Sequence, residues 1–196
     1  MNKYDEIKPG EEFYRCYKNI GIIGSFGKQL QDIKYAKKIF EDEGFTVLAP
    51  KDTEISEERS SDGFLILEKD DDKRPRDLEH DYLNCLTRCQ VIYVCDRNGY
   101  VGKSAMFEIG YLMKEAKHDF VFQEVPEEEL LVDMLTDKNG EIRNIMSPME
   151  LCKAMKKTNY YCFKSTKNHK PGDIPGIARY VEGAPMEILD EEICGL

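Results

Sequence analysis

Three acids and one glycine-rich turn offer the chemistry in this sequence. Residues 90–96 are mostly apolar and β-branched and end in Asp96, the pattern of a buried strand in a parallel sheet. Residues 97–102, Arg-Asn-Gly-Tyr-Val-Gly, form a turn whose two glycines can take positive φ. A helix then starts near Lys103 or Ser104, which puts Glu108 in its second turn. A carboxylate there stands near the C-terminal edge of the sheet, where open α/β folds bind ligands. It also stands near the positive end of the helix dipole, which favours the ionised form. An ionised carboxylate held on a rigid helix can attack an electrophilic carbon. The plain alternative is a solvated helical acid. Against it, Phe107 and Ile109 flank Glu108, the inner face is expected to carry Met106, Ile109, Gly110 and Met113, and Gly110 would let the helix pack close to its strand.

Two further acids accompany Glu108. Asp96 closes its strand at the same sheet edge and is expected to face the same crevice. Asp81 lies in a helix over residues 76–89, with an expected buried stripe of Leu78, Tyr82, Cys85, Leu86 and Cys89. It falls beside that stripe and not opposite it.

The elements that position these groups begin with a βαβ unit. Residues 19–24 are an apolar run bounded by glycine, residues 28–44 have helical periodicity ending in Gly44, and residues 45–50 read as a second strand. The turn after the first strand, Gly24-Ser25-Phe26-Gly27, would lie beside the turn after Asp96 if their strands are neighbours. It is not the G-x-G-x-x-G of a dinucleotide fold. Further strands are expected at residues 64–68, 118–125 and 159–163. Helices are expected at 127–135 and from Ser147 to about residue 157, the latter opened by Pro148 and a Ser147-x-x-Glu150 capping box.

The strand ending in Asp96, the Gly-Tyr-Val-Gly loop and Ser-Ala-Met-Phe-Glu-Ile-Gly-Tyr (104–111) together resemble the signature of the nucleoside 2-deoxyribosyltransferase superfamily, which includes the related nucleotide N-glycosidases. The likeness runs loosely over residues 19–117. It implies that Glu108 is the nucleophile that attacks the anomeric carbon of a sugar. It implies that Asp81, near the nucleophile, positions the sugar or relays a proton, and that Asp96 binds sugar hydroxyls. The turn at Gly24, Ser25 and Phe26 would contact base and sugar, Ser25 through its hydroxyl or amide and Phe26 as a stacking face. Phe26 as a core aromatic is the alternative. Should the substrate carry a 5′-phosphate, the amides around Gly102, the Lys103 ammonium and the Ser104 hydroxyl suit it. Cleaving an N-glycosidic bond needs a carboxylate at the oxocarbenium-like carbon and a proton for the departing base. Asp81 and Asp96 are the candidates for that second role. Family members also complete each site with a neighbouring subunit. The helix carrying Tyr111, Leu112 and Met113 is therefore expected near the interface of a homodimer or higher oligomer.

Composition narrows the alternatives. The chain has 196 residues, a net charge of −10 and 41% hydrophobic residues, which suits one core. The acidic balance disfavours a nucleic-acid duplex as partner. No run approaches the roughly 18 apolar residues of a membrane span, and no signal peptide is visible. Seven scattered cysteines fit reduced thiols in a cytoplasmic protein. No CxxC pair appears, so neither a metal nor a cofactor is expected. The acidic run at 70–72 lacks the spacing of a calcium loop. Gly102-Lys103-Ser104 looks like the end of a P-loop, but the full pattern needs glycine where Arg97 stands.

The expected architecture is a flavodoxin-like three-layer α/β domain over residues 19–163 with a mostly parallel sheet of about five strands. A polar lead-in (1–18) precedes it and a loop-rich tail (164–196) follows. The expected ligand is a small nucleoside or nucleotide. A non-catalytic nucleotide sensor on the same scaffold is the alternative function, since fold does not dictate chemistry.

Overall fold

The computed structural model describes residues 17–54, 74–114 and 117–168. Strand β1 (Asn19–Gly24) buries all four of its interior residues, as a strand covered on both faces must. Helix α1 (Phe26–Asp42) follows and turns its Ile33, Ala36 and Phe40 inward. It stops at Gly44, whose φ of +87° suits glycine alone. Strand β2 (Thr46–Ala49) comes next, then α2 (Pro75–Leu86) with proline in its first turn. Strand β3 (Val91–Cys95) is buried throughout. The chain continues through α3 (Lys103–Met113), β4 (Asp119–Phe122), α4 (Glu129–Leu135) and α5 (Pro148–Asn168).

The four strands form one all-parallel sheet in the order β2-β1-β3-β4. Side-chain alternation sorts the core into two layers. On one face Ile20, Ile22, Val91, Tyr93 and Val121 meet Ile33 and Phe40 of α1 and Leu151 and Met155 of α5. On the other, Ile23, Ile92, Val94 and Phe122 meet Leu86 of α2, Ile109 and Leu112 of α3, and Leu131 of α4. This is a flavodoxin-like three-layer fold. Phe40 and Tyr93 pack edge to face at 5.2 Å, an arrangement worth about 1 kcal/mol beyond burial.

Among the described residues the sheet has four strands, and one expected strand is a helix. Residues 159–163 continue α5. Their aromatic, strand-like composition is overridden by the helix already running through Leu151 and Met155. That helix is started by the capping box: Ser147 N–H donates to Glu150 Oε2 at 2.8 Å and Glu150 N–H to Ser147 Oγ at 3.4 Å. It is held past residue 157 by Asn159, which accepts from Tyr17 N–H at 2.6 Å and donates to Tyr17 O at 2.7 Å. The helix also passes position 164, where the tail is expected to begin. The expected strand at 64–68, the lead-in before Tyr17 and the chain beyond residue 168 lie outside the described residues.

Candidate active site

In a 2-1-3-4 sheet the chain runs outward from β1 in one direction and from β3 in the other. The loops leaving these two neighbours diverge and open a crevice at their C-terminal ends. Gly24 and Cys95 are register partners there, so the turn after β1 stands beside the loop after β3. A Cβ on Gly102 would lie 3.5 Å from Ser25 Cβ, which puts Ser25 and Gly102 in contact. Phe26 is half-buried and packs on the core face shared by α1 and α5. Lys103 and Ser104 are exposed in the first turn of α3. Gly24 is also confined: a Cβ there would come within 3.1 Å of Cys95 Cβ.

Glu108 is 6% exposed. The buried face of α3 is Ala105, Glu108, Ile109 and Leu112, a stripe at i, i+4 and i+7 with Glu108 beside it. Gly110 and Met113 are exposed, and nothing lies within 4 Å of a Cβ built on Gly110. The expected inner face is thus rotated, and Gly110 does not admit a close neighbour. The close approach occurs at Gly21 of β1, where a Cβ would meet Leu86 Cδ2 of α2 at 2.5 Å.

Glu108 Oε2 has no hydrogen-bond partner among the described residues. Burial, with the nearby charge of Glu79 adding to it, pushes the Glu108 carboxyl up to about 8 from its ordinary 4.5. The helix dipole therefore does not keep it ionised. A dipole contributes about 0.3–1 kcal/mol, whereas the rise caused by burial corresponds to up to ~5 kcal/mol. The neighbouring phenol belongs to Tyr82 of α2. Its hydroxyl donates to Ile22 O in β1, and burial followed by the Glu108 charge pushes its pKa well up.

Asp96 is fully buried. Its Oδ1 accepts from the Gln123 and Glu124 amides, both at 2.9 Å, and so ties the end of β3 to the loop after β4. Its Oδ2 has no partner among the described residues. Burial, opposed by these amides, pushes the carboxyl up to about 7. Asp81 is half-buried on α2, where its charge acts on Asp77 one turn earlier. The α2 carboxylate whose charge acts on Glu108 is Glu79. Burial pushes the Glu79 carboxyl up as well.

Tyr82, expected only as a core residue, and Glu79, not expected at the site, both lie within electrostatic reach of Glu108. Their sequence signal is spacing: residues 79 and 82 are one turn apart on the helix that carries Asp81. Two residues of α1 join the site without such a signal. Gln29 and Asp32 are polar yet 3% and 7% exposed. Both reach the loop after β3, Gln29 by a hydrogen bond to Tyr100 O and Asp32 by an ion pair with Arg97.

The arrangement can therefore hold two buried carboxyls, Glu108 and Asp96, near the protonation balance point at neutral pH, each with one unused oxygen. No protein-family model, curated protein or solved structure matches the chain. Among the described residues, no group of three or more His, Cys, Asp or Glu side chains is placed to hold a metal ion. No helix among them is long and apolar enough to cross a membrane.

On the outer side of α3, Phe107 and Met113 are exposed and Leu112 is buried. Of the residues expected near an interface, Tyr111 is half-buried, Leu112 is buried and Met113 is exposed. The Phe107 and Tyr111 rings lie 6.4 Å apart.

Proposed function

We propose that the protein cleaves or exchanges the N-glycosidic bond of a nucleoside or nucleoside 5′-monophosphate, with Glu108 as nucleophile. The observation that carries this reading is the Glu108 carboxyl itself: buried, short of a hydrogen-bond partner, and one helical turn beyond the Gly102–Ser104 loop. A structural acid in such a place would be expected to gain a partner. An unpartnered one is available to a substrate, and perturbed carboxyls cluster at functional sites.

In the reaction, a Glu108 oxygen bonds to C1′ as the C1′–N bond breaks. The electron pair leaves on the base nitrogen, which takes a proton from Asp96 or Asp81. Asp96, held near neutrality, suits a proton donor at neutral pH. Water or a second base then attacks C1′ and releases Glu108 as its carboxylate, giving hydrolysis or transfer respectively. The attacking form is the ionised one: Glu108 gives its proton to solvent before it bonds to C1′, a loss favoured by the positive charge developing on the sugar, and the proton of the attacking water or base passes to the carboxylate left on Asp96 or Asp81. Lys103, Ser104 and the Gly102 loop serve the 5′ side, while Ser25 and Phe26 serve base and sugar. The exposed Phe107 ring beside Tyr111 on α3 suits a symmetric partner.

Chromatography of a nucleoside and 5′-nucleotide panel, incubated with and without an acceptor base, tests the reading. Wild-type protein should release base from at least one member and Glu108→Ala from none. Wild-type turnover by the variant, or no base release from any member, refutes it.

A further inference from the structure

Gln29 occupies an unusual position at the start of α1. Its backbone departs from helical values, with φ −123° and ψ 18°, and its side chain is almost fully buried. A buried primary amide is costly unless its polar atoms are used. Here both ends are used, one on each wall of the crevice. Gln29 Oε1 accepts from Ser25 N–H at 2.8 Å, and Gln29 Nε2 donates to Tyr100 O at 2.8 Å.

Its neighbours on α1 hold the same loop. Lys28 Nζ sits 3.7 Å from the centre of the Tyr100 ring, a cation–π contact, and Asp32 pairs with Arg97. The far side of the loop is fastened too. Asn98 N–H donates to Glu124 Oε2 at 2.8 Å, and Glu127 N–H donates to Gly99 O at 2.9 Å. Asn98 and Gly99 both hold positive φ, at 57° and 72°. The loop is thus preset from both sides, and Gln29 joins it directly to the turn that carries Ser25.

We propose that Gln29 is a positioning residue that fixes the spacing between the Ser25 turn and the Tyr100–Gly102 loop, and so determines how a nucleoside or nucleotide fits between them. This rests on the glycosidic reading of the crevice. A preset wall lowers the ordering cost of binding, so loss of the bridge weakens ground-state binding more than the chemical step.

Two volume-matched variants test it. Gln29→Met removes both hydrogen bonds. Gln29→Glu keeps the acceptor for Ser25 and loses the donor to Tyr100. On the most rapidly cleaved member of the panel, each folded variant should raise KM about tenfold, the order set by one or two ordinary hydrogen bonds, with kcat changed less than about twofold. Amide exchange in peptides covering residues 97–104 should quicken in both variants. An unchanged KM in a folded variant, or an equal loss in kcat, overturns the positioning role, as does unchanged exchange. If wild-type protein cleaves nothing, the glycosidic reading fails on its own terms, and with it the ligand role of Gln29, while exchange still decides whether the bridge holds the loop.

Discussion

Replacing Glu108 with Gln should abolish base release and at the same time stabilise the protein, by an amount that grows with pH. The amide keeps the shape of the carboxyl and never ionises. In the native state the Glu108 carboxyl is held up to about 8, against an ordinary value of 4.5. The folded protein therefore keeps a proton that the unfolded chain loses, and wild-type stability falls as pH rises from the unfolded value through the folded one. Near pH 5 the folded carboxyl is protonated while the unfolded one, at its ordinary 4.5, is already mostly ionised, so the variant should match wild type within ~1 kcal/mol. By pH 7, at ~1.4 kcal/mol per pH unit, the difference approaches ~3 kcal/mol, and it levels off near ~5 kcal/mol above pH 8. These are ceilings, because interior polarity and water penetration reduce such terms. A gain of at least ~1 kcal/mol between about pH 5 and 8 is the expected minimum. Urea unfolding at about pH 5, 7 and 8.5, comparing midpoints at a common slope, measures it. Subtracting wild type from variant cancels the similar pH term from Asp96. A difference independent of pH would refute the reasoning, because it would mean that Glu108 ionises at its ordinary value and is not desolvated.

Ser104→Ala and Lys103→Ala should each raise KM for a 5′-monophosphate by about tenfold and leave the matching nucleoside nearly unchanged. Steady-state kinetics on the pair checks this, and equal losses on both would make the loop structural. Gly99→Ala should cost ~2 kcal/mol by denaturant unfolding, from positive φ and lost space. Its Cβ would sit 2.8 Å from Val125 O and 2.9 Å from Glu127 N; an unchanged midpoint would show that the loop yields easily. Light scattering at micromolar concentration should give a dimer or larger mass, and Phe107→Glu should reduce it to the monomer, since Phe107 is 58% exposed beside the half-buried Tyr111. A wild-type monomer would exclude the α3 interface.

Much of this organisation is legible in the sequence because it rests on local rules. Strands β1, β2, β3 and β4 follow from short apolar runs, since a strand covered on both faces needs nothing else. The C-terminal end of α1 and the start of α5 follow from Gly44, Pro148 and the Ser147–Glu150 box, whose contacts span only a few residues. That Glu108 sits on a helix just past a glycine loop follows in the same way. The protonation state of Glu108 does not. The dipole expectation rests on its own helix alone, whereas burial in the folded protein, with the Glu79 charge of α2 added, decides it. The rotation of α3 that buries Ala105, Ile109 and Leu112 and exposes Gly110 and Met113 is likewise set by what it packs against. The local strand signal at residues 159–163 yields to a helix anchored by Asn159 on Tyr17, a contact across most of the chain. Sequence periodicity places residues on faces. Only tertiary packing determines which face is dry, which carboxyl loses its water, and that Gln29 reaches a loop 71 residues further along the chain.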